Sequence, residues 1–208
     1  MTDWYKIKRV LTWVNWEEKQ IYPAARLPSA YQEVEYIQWT GTQAIDCNIV
    51  IWATKLKTDL KINSQYIWES AIFLSRWTLN WNFLMFYNNA FRWHSASSVD
   101  ISCALNTDYS IQTENWKITI NWTSYTCTAS SSDSSSDLSM CIFGKSWATT
   151  YWRFKLYYMK MWDNTTLVRD LVPCYRKSDS VIWMYDLVNN QFYMNSWTWT
   201  FAKWPDVN

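Results

Sequence analysis

The feature that most limits what this chain can become is a shortage of glycine in a text full of turns. The 208 residues hold 2 glycines and 18 tryptophans, where about 15 glycines would be ordinary at roughly 7% of a soluble chain. Asn-Trp ends an alternating run at Asn15-Trp16, Asn80-Trp81, Asn115-Trp116 and Asn121-Trp122. At such places Asn-Gly is the strongest short hairpin signal, because a two-residue loop needs positive φ at its centre. An indole clashes there and glycine does not. Many of the tryptophans are therefore read as standing where the backbone calls for glycine.

With those turns placed, the strands follow. Tyr5-Lys6-Ile7-Lys8-Arg9-Val10-Leu11 alternates apolar and basic, and a turn at 15–16 joins it to a second strand at 17–22. Residues 23–28 read as an extended linker, since Pro23 and Pro28 bias their predecessors away from helix. Residues 1–26 thus form a short β arm and linker, and 27–208 the main body. In the body, Val34 and Tyr36 share one face against Glu33 and Glu35. Along 55–62 the period is two, with Leu56, Leu60 and Ile62 pointing inward. Further strands are expected at 66–74, 82–87, 91–94, 98–103, 108–113, 116–121, 123–128, 139–143, 152–161 and 166–173. Phe154 and Leu156 have one parity, Met159 and Met161 the other; a β-bulge near Tyr157-Tyr158 would put all four on one face. The serine-rich run 128–139 reads as a polar surface loop. No stretch carries a sustained helical period. Short strands at this spacing predict an all-β sandwich.

Lys plus Arg is 19 and Asp plus Glu is 18, a net charge of +1. That leaves no global field to favour nucleic acid or an anionic membrane. No apolar run reaches the roughly 18 residues of a membrane span, and no secretory signal is expected at the N-terminus. The five cysteines, Cys47, Cys103, Cys127, Cys141 and Cys174, lack CxxC spacing. They read as small buried hydrophobes rather than a disulfide framework or zinc site.

The closing segment 181–206 reads as a hairpin turning at Leu187-Val188-Asn189-Asn190, followed by an exit strand. Trp183, Trp197, Trp199 and Trp204 in it are expected to be mostly exposed, at turns or edges. Three stretches carry a resemblance: LPSAYQEVEYIQWTGTQAID (27–46), FGKSWATTYWRFKLYYMKMWDNTTLVRDLVPCYRKSDSVIWMYDLVNNQFY (143–193) and NSWTWTFAKWPD (195–206). They resemble LamG-like, concanavalin A-like lectin/glucanase domains of phage tail or virion proteins and gut-bacterial surface proteins. The resemblance implies a concanavalin A-like jelly-roll β-sandwich. It also implies glycine at positions 52, 122, 152, 183, 197, 199 and 204, with Trp162 native and Trp4 and Trp93 as further native candidates. A UGA codon, one base from GGA, is read as glycine in some bacterial lineages and their phages. Translation under a code that reads it as tryptophan would account for the exchange.

Glucanases on this fold need closely set carboxylates about 5 Å apart. Glu33-Val34-Glu35 is a faint echo that lacks a third acid, and reads as the solvated face of a strand. His94 has no Ser or Cys pattern for a triad, so no catalytic residue is assigned and a degenerate glycosidase is the remote alternative. No metal or nucleotide motif is present; Asp46, Asp100 and Asp108 are the only calcium candidates, without a motif behind them. Arg169-Asp170 and Arg176-Lys177-Ser178-Asp179 read as structural pairs that register strand and hairpin. Sugar binding needs rings beside amides and charges, and the candidates are Tyr66, Phe86, Tyr87, Asn88, Asn89, Phe91, Arg92 and Trp93. The competing reading of 86–93 is a hairpin with core-facing aromatics. The expected partner is a glycan or cell-surface polysaccharide bound by a non-catalytic lectin-like or adhesion module on a virion tail or cell surface. The alternative is a structural tail module whose arm contacts other virion or surface proteins.

Overall fold

Period-two alternation places the centre of the fold. Leu56, Leu60 and Ile62 are fully buried in a computed structural model, with Lys57, Asp59 and Lys61 on the opposite face. The structure describes residues 10–14, 17–21, 26–39, 43–52, 55–66, 71–76, 82–87, 90–93, 101–114, 117–126, 139–143, 153–194, 201 and 205–207.

The described residues are all-β. In chain order the strands are β1 (Val10–Val14), β2 (Glu17–Ile21), β3 (Tyr31–Glu33), β4 (Ile37–Trp39), β5 (Ile45–Asp46) and β6 (Leu56–Tyr66). They continue with β7 (Ala71–Arg76), β8 (Asn82–Tyr87), β9 (Ala90–Trp93), β10 (Ile101–Ser102), β11 (Thr107–Glu114) and β12 (Lys117–Ile120). The last six are β13 (Thr123–Thr126), β14 (Met140–Ile142), β15 (Arg153–Asp163), β16 (Thr166–Arg176), β17 (Ile182–Asp186) and β18 (Gln191–Tyr193). A 10-stranded antiparallel sheet runs β13-β12-β11-β6-β15-β16-β17-β18, with β3 and β4 beside β16 and β15. A 6-stranded sheet runs β10-β9-β8-β7-β14-β5, and β1 pairs with β2 in a sheet of their own. One apolar cluster joins the two larger sheets: Leu84, Phe91, Trp93, Met140 and Ile142 from the smaller with Leu60, Ile111, Phe154, Met159 and Met184 from the larger. The body is therefore sandwich-like, two sheets sharing one core.

The parity change in β15 is resolved as expected. Leu156 pairs with Ile62 but Tyr158 with Lys61, so Tyr157 is the extra residue of a bulge. Phe154, Leu156, Met159 and Met161 all reach zero exposure on one face. Beyond the bulge β15 and β16 diverge, and the early chain fills the gap. β4 pairs with Phe154–Leu156, and β3 pairs with Cys174–Arg176. Pro173 sits at this split, where a missing N–H interrupts no ladder between β15 and β16; its carbonyl accepts from Val34 N at 3.0 Å. The exit segment closes the same place: Val34 bridges Asp206, and Glu35 N donates to Pro205 O at 3.0 Å.

The left-handed backbone positions test the glycine argument. Among the described residues, Asn48, Asn106, Asn121, Asn164 and Asn190 take positive φ, joined by Ser180, Phe143 and Trp122. Asparagine tolerates that region. Asn121 (φ 45°) and Trp122 (φ 75°) link β12 to β13 as a two-residue loop, the backbone of a type I′ turn. The Trp122 indole is 81% exposed, so it packs on little. Trp39 is the opposite case: it is buried, stacks on Phe143 at 5.4 Å, and donates from Nε1 to Gln43 O at 2.9 Å.

Trp183 corrects an expectation. It is buried, at 8% exposure, because β17 lies between β16 and β18 and places it opposite Cys174. Its ring meets Phe192 edge-on at 5.7 Å, while its Nε1 is buried with no hydrogen-bond partner. Residues 197, 199 and 204 lie outside the described set. Cys47, Cys103, Cys141 and Cys174 are free and buried. Burial pushes the Cys103 thiol up to about 11 and those of Cys141 and Cys174 up to about 12, which leaves them protonated and inert near neutrality. Cys127 lies outside the described residues.

Candidate functional site

Strand β6 puts Leu56, Leu60 and Ile62 into the core, so Lys57, Asp59, Lys61 and Asn63 face out. The same holds for the even positions of β11. Cross-strand register then stacks these side chains in rows: Lys155 beside Asn63 beside Asp108, Tyr158 beside Lys61 beside Ser110, and Lys160 beside Asp59 beside Gln112. A fourth row sets Trp162 beside Lys57 beside Glu114. The outer face of the large sheet is thus a field of alternating charge and amide with aromatic rings along β15.

The bulge gives this field its centre. As the extra residue, Tyr157 reaches Asp108 Oδ1 with its hydroxyl at 3.2 Å, and Asn63 Nδ2 donates to the same oxygen at 2.7 Å. Lys61 Nζ pairs with Asp108 Oδ2 at 3.0 Å and lies 4.6 Å from the Tyr157 ring centroid. Tyr36 meets Tyr157 edge-on at 5.6 Å, with Lys155 Nζ 4.3 Å from the Tyr36 ring. Tyr158 donates to Asp59 Oδ1 at 3.2 Å. Partial burial pushes the Asp108 carboxyl up. The hydrogen bonds from Asn63, Lys61 and Tyr157, with the Lys61 charge, outweigh it and hold the group below its usual range. Burial and then the Asp108 charge push the Tyr157 phenol above its ordinary value. The cluster therefore offers a neutral phenol, an ionised carboxylate and an amide held together at neutral pH.

The sugar-binding candidates read from the sequence are placed differently. Phe91 and Trp93 are fully buried core residues; a ring with no exposed face offers none to a sugar. Their inward direction follows from β9, which pairs with β8 and lines the shared core, so the core-facing alternative holds for these two rings. Phe91 meets Tyr109 edge-on at 4.8 Å. Tyr66, Phe86, Tyr87 and Arg92 lie on β6, β8 and β9, and their side chains are outside the description, as are Asn88, Asn89 and His94 altogether. Register sets Phe86 opposite Phe91 and Tyr87 opposite Ala90.

Of the calcium candidates, Asp46 is in the smaller sheet and accepts from Asn48 N at 2.8 Å, Asp108 is on the outer face of the larger, and Asp100 is not described. No group of three metal-ligating side chains occurs among the described residues. Glu33 is engaged by Arg26 through both carboxylate oxygens. The charged residues at 169–170 and 176–179 are built into the frame. Arg169 donates to Cys47 O at 2.9 and 2.7 Å and to Asn48 O at 3.0 Å, and it faces Asp186 at 3.7 Å. Asp186, fully buried, accepts from Asp170 N at 2.9 Å, Val188 N at 3.0 Å and Asn189 Nδ2 at 2.8 Å, which holds the 187–190 turn. Arg176 and Asp179 pair across the turn that precedes β17.

Sequence reasoning located the bulge and the alternation of β6, but not the cluster they build. The signal was the polar set Lys57, Asp59, Lys61 and Asn63 opposite the buried set, together with two tyrosines at the bulge. Comparison with family models, curated proteins and solved structures finds no match for this chain.

Proposed function

We propose that this chain is a non-catalytic carbohydrate-binding or adhesion module of concanavalin A-like jelly-roll architecture, working on a virion or cell surface. The observation that carries the reading is the outer face centred on Tyr157. It sets the partly exposed ring of Tyr157 beside the Asn63 amide and the Asp108 carboxylate, with the partly exposed rings of Tyr158 and Trp162 further along the same face, beside Lys61 and Lys57. Rings that stack on pyranose faces, beside acceptors and donors for hydroxyls, are the chemistry a neutral glycan requires. Two antiparallel sheets around one core support the jelly-roll reading. Trp122 on a left-handed backbone supports the reading that glycine is the native residue at such tryptophans. Glycan-array binding tests the function: a protein carrying glycine at 122 should bind a defined polysaccharide class, and Tyr157→Ala with Asp108→Ala should abolish binding while circular dichroism stays unchanged. Binding unaffected by both substitutions, or none on any glycan, would remove the proposal.

A second reading, a structural tail module without glycan binding, is favoured by one feature. Strands β1 and β2 bond only to each other among the described residues. A separate hairpin suits an arm that docks on another virion or surface protein, and pull-down with and without residues 1–26 would separate the two readings.

A further inference from the structure

The large sheet ends at β13, and this edge lacks the devices that normally discourage strand addition. Its residues are Thr123, Ser124, Tyr125 and Thr126, with no lysine, no proline and no bulge; natural edges are usually blunted by one of these. No strand pairs with its outer side among the described residues. The register tells which backbone groups face outward. Asn121 N donates to Ser110 O at 3.0 Å, so Asn121 turns its N–H towards β11 and Ile120, next in the alternation, turns towards β13. Ile120–Thr123 and Ile118–Tyr125 are then the hydrogen-bonded pairs of the β12–β13 hairpin. Ser124 and Thr126 therefore direct their N–H and C=O groups away from the sheet.

We infer that β13 is a pairing edge for a second copy of this chain, antiparallel and centred on Tyr125. The pattern is self-complementary. A two-fold axis at Tyr125 sets Ser124 opposite Thr126 of the other copy, twice, which satisfies all outward groups of these two residues with four hydrogen bonds. Tyr125 then faces Tyr125 of the other copy as a non-hydrogen-bonded pair, where side chains come closest. Tyr125 is half-buried and already packs against the apolar core, so its partner extends that core across the axis. No charge lies on the edge to oppose the approach. The interface is four residues long, so association is weak and concentration-dependent, well below the area of a permanent dimer. Its product is one continuous sheet with two outer faces side by side, which doubles any ligand site on that face.

Sedimentation of the full chain from micromolar to millimolar concentration tests this. The expected result is a reversible monomer–dimer equilibrium. Ser124→Pro removes one outward N–H that β12 does not use, and Ser124→Lys adds the charge natural edges carry; each should leave a folded monomer. Tyr125→Cys should form an intermolecular disulfide on mild oxidation, because residues opposed in a non-hydrogen-bonded pair lie about 4.5 Å apart at Cα. A wild-type chain monomeric throughout the range overturns the inference. So does a dimer that survives both Ser124 variants, or one that Tyr125→Cys does not cross-link.

Discussion

Replacing Trp122 by glycine should stabilise this protein, a rare sign for the loss of a large aromatic residue. The residue sits at φ 75° in the β12–β13 turn and is 81% exposed. Holding a bulky L-residue in the left-handed region costs about 1–3 kcal/mol. The small part of the indole that is covered is no more than the roughly 10–40% a denatured chain already hides, so its removal forfeits little. Glycine brings back an unfolded-state entropy cost of about 0.5–1 kcal/mol. The balance is a gain of about 1 kcal/mol, which for a chain of this size raises Tm by roughly 2–4 °C. Urea titration is the assay: the midpoint should rise with the slope unchanged. Trp39→Gly is the matched control. Its ring is stacked and its N–H is paired, so the same exchange should cost about 4 kcal/mol or more. A Trp122→Gly protein as stable as its parent, or less stable, would refute the strain argument and leave tryptophan as a fitting residue in that turn.

Other perturbations follow from the same geometry. Trp183→Phe should stay within about 1 kcal/mol of the parent, since loss of an unpaired buried N–H worth about 1–3 kcal/mol offsets the void; a loss above 3 kcal/mol in urea would point to a satisfied indole. Arg169→Lys should cost about 2–3 kcal/mol, because a single ammonium cannot reproduce the fork on Cys47 and Asn48 carbonyls beside buried Asp186; a neutral result by calorimetry would contradict that role. Asp108 has a lowered folded pKa, so the folded state holds its proton less tightly than the unfolded one. Its stabilisation is full above the ordinary carboxylate value of about 3.9 and fades as pH falls through the lower folded value. Asp108→Asn should therefore flatten the acid limb of the stability curve, and an unchanged limb would show that the cluster is not linked to folding.

Much of the fold was legible because strand parity is local information. The inward set of β6, the Tyr157 bulge and the 187–190 turn could each be read from a dozen residues. What could not be read is which strands become neighbours. Asp108, Asn63 and Tyr157 belong to three strands, and only the β15-β6-β11 order brings them together. The same limit explains Phe91 and Trp93. A hairpin of rings and amides looks alike whether it faces solvent or a second sheet, and topology turned these rings inward. Trp183 was misread for a related reason: the glycine argument concerns backbone, whereas its burial is decided by β16 and β18 on either side.

The split between β15 and β16 has a consequence for how the molecule is made. The earliest body residues, Val34, Tyr36, Ile37 and Trp39, are among the most buried, yet their partners are β15, β16 and Asp206 at the far end of the chain. During synthesis this apolar stretch leaves the ribosome with none of these partners to pair against until residues 154–206 have followed. The order of assembly is thus inverted: segment 31–39 precedes β15 and β16 in the chain but is seated only after them, and Asp206 latches it. Such long-range closure slows folding and leaves an early aggregation-prone window, so protection of the nascent 31–39 segment, rather than final stability, would limit the yield of native protein.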